Sequence, residues 1–200
     1  MKLYFARNAC SLSPHIVLRE AGLPFELERV DTKTHKTRSG IDFYSINPKG
    51  YVPALQLDDG QVLTEGPAIV QYIADLKPES KLAPAPGTME RYRLQEWLNF
   101  IGTELHKQFS PLFSATISEQ MKQQLKEKIA GRFDYVSKHL EGRQFILGDT
   151  FTAADAYLFT IVSWSKFVEI DLSRWPSLKA YIDRVAMRPA VRAALEAERA

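Results

Sequence analysis

Cysteine is almost missing from this chain: Cys10 is the single one among 200 residues. One cysteine rules out an intramolecular disulfide and any cysteine-rich zinc or iron–sulfur site, and it points to a reducing, cytoplasmic setting. An excess of one charge is lacking as well. Lys and Arg number 26 against 24 Asp and Glu, a formal net charge of +2, which argues against a nucleic-acid or membrane partner. No hydrophobic run approaches the ~20 residues of a membrane span, and the stretch Leu3 to Ala6 is broken by Arg7 far short of a signal segment. The histidines His15, His35, His106 and His139 have no paired spacing with acids, so no metal is expected. Gly-x-x-x-x-Gly-Lys-Ser/Thr does not occur, and neither does a repeat or a low-complexity tract.

What remains is a 45% hydrophobic composition on a chain long enough to bury a core without metals or disulfides. Leu3 to Phe5 reads as a strand, Ser13-Pro14 leads into a helix from His15 to Ala21 closed by Gly22, and Phe25 to Val30 is a second strand, together a βαβ unit. Asp58-Asp59-Gly60 between Ala54–Leu57 and Gln61–Thr64 predicts a hairpin, and Glu65-Gly66-Pro67 opens an apolar helix that must stop before Pro78. Pro78, Pro84, Pro86 and Gly87 then interrupt both periods. The expected division is residues 1–77, a linker at 78–87, and an all-helical unit over 88–200. Its helices are expected around Leu94 to Leu105, Ser118 to Leu140, Thr152 to Val168, Pro176 to Met187, and from Pro189 to the end. Thr152-Ala153-Ala154-Asp155 has capping-box spacing, a folding role that explains both polar residues without catalysis.

Four places carry candidate chemistry. Cys10 lies just before the first helix, where unpaired amides and the helix dipole would favour a thiolate, although a lone cysteine is as often inert packing; position leaves both readings open. Without a Cys-x-x-Cys partner, redox turnover would need an external thiol. Val52-Pro53 is a candidate cis bond whose preceding backbone groups could pair with an extended peptide, or an ordinary proline capping an edge strand. Glu65-Gly66-Pro67 sets an acceptor for an ammonium beside a helix start suited to a carboxylate, though an acid there is favourable without any ligand. Asn99, Thr103 and His106 share a polar sector at 100° per residue, with Glu104 and Lys107 beside it and His106 able to donate or accept near neutral pH.

Taken in order, Cys10-Ser11-Leu12-Ser13-Pro14-His15, Asn47-Pro48-Lys49-Gly50-Tyr51-Val52-Pro53-Ala54-Leu55, Leu63-Thr64-Glu65-Gly66-Pro67-Ala68-Ile69, and Trp97 through Lys107 closely resemble the bacterial beta-class glutathione S-transferases over essentially the whole chain. The resemblance implies a thioredoxin-like first domain (βαβ-ββα, mixed sheet), an all-helical second domain, a homodimer, and glutathione as co-substrate. It implies that Val52 before a cis Pro53 pairs with the cysteinyl part of glutathione, and that Glu65 and the Gly66 amide hold the γ-glutamyl end. Asn99 and Glu104 would reach that end from the neighbouring subunit. Cys10, Ser11, His106 and Lys107 would surround the sulfur. His35 stands where many relatives carry Lys, so the glycyl carboxylate would fall to His35 itself, Lys33 or Lys36. Gly66 stands where some relatives have Ser. The implied reaction is attack of the glutathione thiolate on a small hydrophobic electrophile, as in detoxification of xenobiotics, with Phe109, Phe113, Tyr157 and Trp164 chosen by position to line its site. The alternatives are a disulfide reductase or peroxidase working through a Cys10 mixed disulfide, and a non-catalytic binding module on the same fold.

Overall fold

In the computed structural model, which describes residues 1–199, alternating side chains make β1 (Lys2–Phe5), parallel to β2 (Glu26–Asp31) and antiparallel to β4 (Ala54–Gln56). The hairpin partner β5 (Val62–Thr64) pairs Ala54 with Thr64 and Gln56 with Val62 around Gly60, whose φ of 89° the turn requires. A two-residue edge strand, β3 (Lys36–Thr37), completes a mixed sheet of order β3-β2-β1-β4-β5. Tyr4 points into a cluster with Ala6, Val30, Phe43, Val52 and Ala54. Leu3 and Phe5, one residue to either side, are buried on the opposite face, as the period of two requires.

Two helices complete this βαβ-ββα order, α1 (Leu12–Glu20) and α2 (Gly66–Leu76), packed on each other. α1 begins three residues before the expected His15. Pro14 therefore sits inside its first turn, where a missing N–H removes no intrahelical bond.

Contact clustering separates two units, Met1–Ala83 with the chain from Arg188 onward, and Pro84–Met187. The last helix, α8 (Pro189–Ala197), thus packs with the start of the chain rather than with the helical stretch before it, against the 88–200 division expected from sequence. Polar contacts explain why. Arg188 makes a two-pronged pair with Glu20 (2.6 and 2.9 Å), Glu198 meets the buried His15 at 3.0 Å, and Arg7 donates to the Arg199 carbonyl. Arg19 bonds the other ring nitrogen of His15 at 2.9 Å. Burial pushes the Glu198 carboxyl above the usual glutamate range, against the pull of His15 and Arg7.

The helical unit holds α3 (Met89–Phe100), α4 (Lys107–Phe109), α5 (Glu119–His139), α6 (Ala153–Val162) and α7 (Pro176–Ala186). Thr88 and Ser118 cap α3 and α5 by accepting the amides of Arg91 and Met121, each at 3.2 Å. Between α3 and α4 the backbone widens into a π-helical stretch over Ile101–His106. Every residue of α6 is buried, which makes it the axis of the unit. The expected continuation to Val168 stops at Val162 and tightens into a 3-10 turn, Ser163–Phe167, after Thr160 and Ser163 bond back to the carbonyls of Ala156 and Thr160.

Asp155 does more than cap α6. Its carboxylate accepts the Thr152 amide and hydroxyl and the Ile146 amide, each at 2.8 Å, and the Tyr181 hydroxyl at 3.0 Å. It thereby ties the loop before α6 and the middle of α7 to one buried point. Burial raises its carboxyl above the ordinary aspartate range, with the hydrogen bonds opposing, and burial beside Asp155 raises the Tyr181 hydroxyl in turn.

Candidate functional site

In the first unit the candidate residues come from three segments at one end of the sheet. Cys10 follows β1 and precedes Ser11, the N-cap residue of α1. Its half-buried thiol donates to the Val52 carbonyl at 3.3 Å, and its own carbonyl accepts from the Ser13 amide and hydroxyl at 3.1 and 2.9 Å. The amides expected to face a thiolate are engaged elsewhere: that of Leu12 goes to Ala9, that of Ser13 to Cys10, and Pro14 has none. Ser11 is fully buried, with its hydroxyl both donating to the Ala6 carbonyl and accepting the Ala6 amide at 3.2 Å. It staples the loop to the end of β1.

The Val52–Pro53 peptide is cis. Glu65 and Gly66 lie beyond the hairpin, at the start of α2. Glu65 holds φ at 68°, a left-handed value that costs a β-carbon-bearing residue of order 1–3 kcal/mol and is retained where the surroundings over-determine it. Its exposed carboxylate pairs with Lys49 at 2.7 Å, and Lys49 also reaches the Thr64 hydroxyl at 3.1 Å. The Gly66 amide makes no hydrogen bond among the described residues, and Pro67 offers none, so the helix start presents an open donor. A β-carbon on Gly66 would lie 3.8 Å from Pro53 and 4.0 Å from the Ser13 hydroxyl, which brings the three segments within van der Waals reach.

His35 does not stand out as a lysine would. Its ring packs on Tyr44 in a tilted arrangement with centroids 4.5 Å apart, its backbone holds φ at 52°, and its buried Nδ1 has no hydrogen-bond partner among the described residues. Gly50 lies beneath this pair at φ 71°; a β-carbon there would come within 2.7 Å of the Tyr44 ring. Lys33 and Lys36 line a separate groove that contains none of Cys10, Val52, Glu65 and Gly66.

In the helical unit the π-helical stretch decides where side chains point. Added width over Ile101–His106 breaks the 100° spacing on which Asn99, Thr103 and His106 were expected to align. Thr103 donates back to the Asn99 carbonyl at 3.0 Å, while Asn99 and Lys107 are exposed. His106 turns onto α6, where its Nδ1 lies 2.7 Å from the Tyr157 hydroxyl and its ring 5.1 Å from Trp164. Phe109 and Phe113 meet Trp164 edge-on at 6.1 and 5.5 Å, so His106 and the four expected aromatics form one cluster. Exposure divides that cluster: Phe113 is 50% exposed, whereas Phe109, Tyr157 and Trp164 are buried. Glu104 is held by the guanidinium of Arg132 at 2.7 and 2.8 Å.

Three partners escaped the sequence. Arg132 is 28 residues from Glu104 with no local signal. Tyr157 was chosen for its apolar ring, yet its hydroxyl is what touches His106. Lys49 lies in the Asn47-Pro48-Lys49-Gly50 stretch, and only the folded hairpin brings it to Glu65.

Comparison with known proteins follows this geometry. The model of the glutathione S-transferase N-terminal domain matches residues 9–76, and that of the C-terminal domain matches 100–189. Glutathione S-transferase GstA of Escherichia coli O157:H7 is 44% identical over 99% of this chain and 98% of its own. The structure of BphK, a bacterial glutathione S-transferase solved as a ternary complex, superposes with a TM-score of 0.98 at 56% identity and full coverage of both chains. A sphingomonad glutathione S-transferase complexed with glutathione gives 0.96 at 48% identity, over 99% and 98% of the two chains.

Proposed function

Because this chain belongs to the glutathione S-transferase family and is a glutathione transferase, we propose a specific division of labour among its residues for joining glutathione to small hydrophobic electrophiles. The observation that carries it is the first-unit cradle, where the Cys10 thiol, the Val52 carbonyl, the strained Glu65 and the open Gly66 amide converge. Such a cradle suits a peptide with an amino-acid end. Glu65 accepts the γ-glutamyl ammonium, the Gly66 amide binds the adjoining carboxylate, and Val52 pairs with the cysteinyl backbone. The bound glutathione in the sphingomonad relative supports the choice of ligand.

The nucleophile is the ligand's own thiolate. His106 is assigned as the donor that stabilises it, with Tyr157 fixing the ring. Cys10 positions the ligand and stands ready for a mixed disulfide under oxidation. Ser11 supports the loop, and Lys107 adds positive charge. Phe113 is the electrophile-facing aromatic, backed by Trp164, Tyr157 and Phe109. Asn99 and Glu104 act in a homodimer, toward the glutathione of the second copy. The division at Ala83 and Pro84 is read as that between a glutathione-binding and an electrophile-binding domain. A detoxifying enzyme of the beta class in the reducing cytoplasm fits a Cys10 that forms no disulfide and the glutathione pool.

The test is the steady-state rate of glutathione addition to an activated chloronitrobenzene against a protein-free control. A saturable increase in both substrates supports the assignment. Absence of any increase, with glutathione still bound, transfers it to disulfide reduction through Cys10.

A further inference from the structure

Charge in this protein is near balance overall yet unevenly placed. A groove of about 710 Å³ opens where β1 and β2 end and β3 begins, lined by Arg7, Arg29, Lys33, Lys36 and Arg38, with Asp31 as its one acid. Five cations against one carboxylate leave it at +4, while the whole chain carries +2. Four of the cations, Arg29, Lys33, Lys36 and Arg38, are exposed and form no ion pair within 4.0 Å among the described residues. Arg7 donates to the Arg199 carbonyl and faces the buried Glu198. Asp31, itself exposed, accepts the amides of Lys33 and Thr34 at 2.8 and 3.3 Å, and these bonds, with a smaller contribution from the Lys33 charge, hold its carboxyl below the usual aspartate range. It orders the loop that carries Lys33 and offsets one of the five cations.

Like charges gathered without partners repel one another, and an anion spanning several of them relieves the repulsion. The groove lies beyond the carboxyl ends of the parallel strands β1 and β2. Three of the five cations are arginines, whose planar forks match phosphate oxygens two at a time. Their spread along two strands and a loop calls for more than one anionic centre. The lining has no aromatic residue on which a base could stack.

We propose that this groove is a second ligand site, separate from the glutathione cradle, that binds a linear di- or triphosphate group through its charge and oxygens, with no recognition of an attached base. The probe is inorganic tripolyphosphate, titrated calorimetrically into the full chain at near-physiological salt, with ATP, citrate and a ten-nucleotide single-stranded DNA in parallel. Saturable one-to-one binding of tripolyphosphate is expected, with ATP equal to it within a few-fold and citrate weaker. The double variant Arg29→Ala, Arg38→Ala alters only exposed side chains and should weaken tripolyphosphate binding by roughly tenfold or more, the scale of losing charge-assisted pairs. Its conjugation rate should stay at the wild-type value, which shows that it is folded. Tripolyphosphate should not displace glutathione.

No saturable binding, equal binding by the variant, or competition with glutathione would each overturn the site. ATP binding tenfold tighter than tripolyphosphate would replace it with a nucleotide site, and preference for the DNA would replace it with a nucleic-acid surface. None of these outcomes touches the transferase assignment, which the conjugation rate reads separately.

Discussion

Glu65 combines a left-handed backbone with a carboxylate that already carries an ammonium, that of Lys49. In the proposed assignment a γ-glutamyl amine takes the place of the Lys49 ammonium. Glu65→Gln keeps shape and hydrogen-bonding while removing charge. It should raise the KM for glutathione roughly tenfold, the worth of one charge-assisted bond, with kcat little changed. Gly66 yields a change of opposite sign. It has ordinary helical φ and room for a β-carbon at 3.8 Å from Pro53, so Gly66→Ser should be accommodated and add a hydroxyl donor, lowering the KM for glutathione a few-fold. Cys10 is the residue whose proton already has a destination, the Val52 carbonyl. Cys10→Ala should therefore keep most of the conjugation rate and abolish the mixed disulfide with oxidised glutathione, read by intact-protein mass. Loss of conjugation with glutathione binding preserved would assign the thiol an essential part.

At the scale of elements, the π-helical stretch and α6 act as a pair. The wider turn brings His106 across to Tyr157 at 2.7 Å, where regular α spacing would have set it over a different part of α6. Tyr157→Phe retains the ring and its packing and removes only the hydroxyl. It should lower kcat several-fold and displace the pH profile of kcat, with the thermal midpoint close to wild type; an unchanged profile would make Tyr157 simply a packing residue. The same element shows where sequence reading stops. Strands, the Asp-Gly hairpin and α2 were visible because period and turn chemistry are local. The π-helical stretch was not, since Ile101, Leu105 and their neighbours satisfy an α period on paper. β3, only two residues long, offers no period to detect. In the candidate site, Cys10, Val52, Glu65 and Gly66 are singled out by local motifs and the four aromatics by their position in the chain. The inward turn of Ser11, the packing of His35 on Tyr44 and the hold of Arg132 on Glu104 required the fold.

For the molecule as a whole, two buried carboxylates make stability fall as pH rises. Asp155 and Glu198 both have raised folded values, so the folded state binds their protons more tightly than the unfolded chain does. Stability from these groups is present below the unfolded values and falls as pH rises through the folded ones, the reverse of an exposed, paired carboxylate. Glu198→Gln should flatten the dependence of the thermal midpoint on pH from about 4.5 upward, read by calorimetry across that window. Asp155 also gathers four donors. Asp155→Ala strands them in the interior and should cost on the order of 3 kcal/mol at neutral pH, measured by urea denaturation. α8 has a further consequence, for biosynthesis. Met1–Ala83 is translated before the helical unit, but the partners of its His15, Glu20 and Arg7 are Glu198, Arg188 and Arg199, translated after that unit. The unit begun first is thus completed only after the second, and a nascent chain grown as far as Met187 carries the whole helical unit while α1 still lacks its clasp.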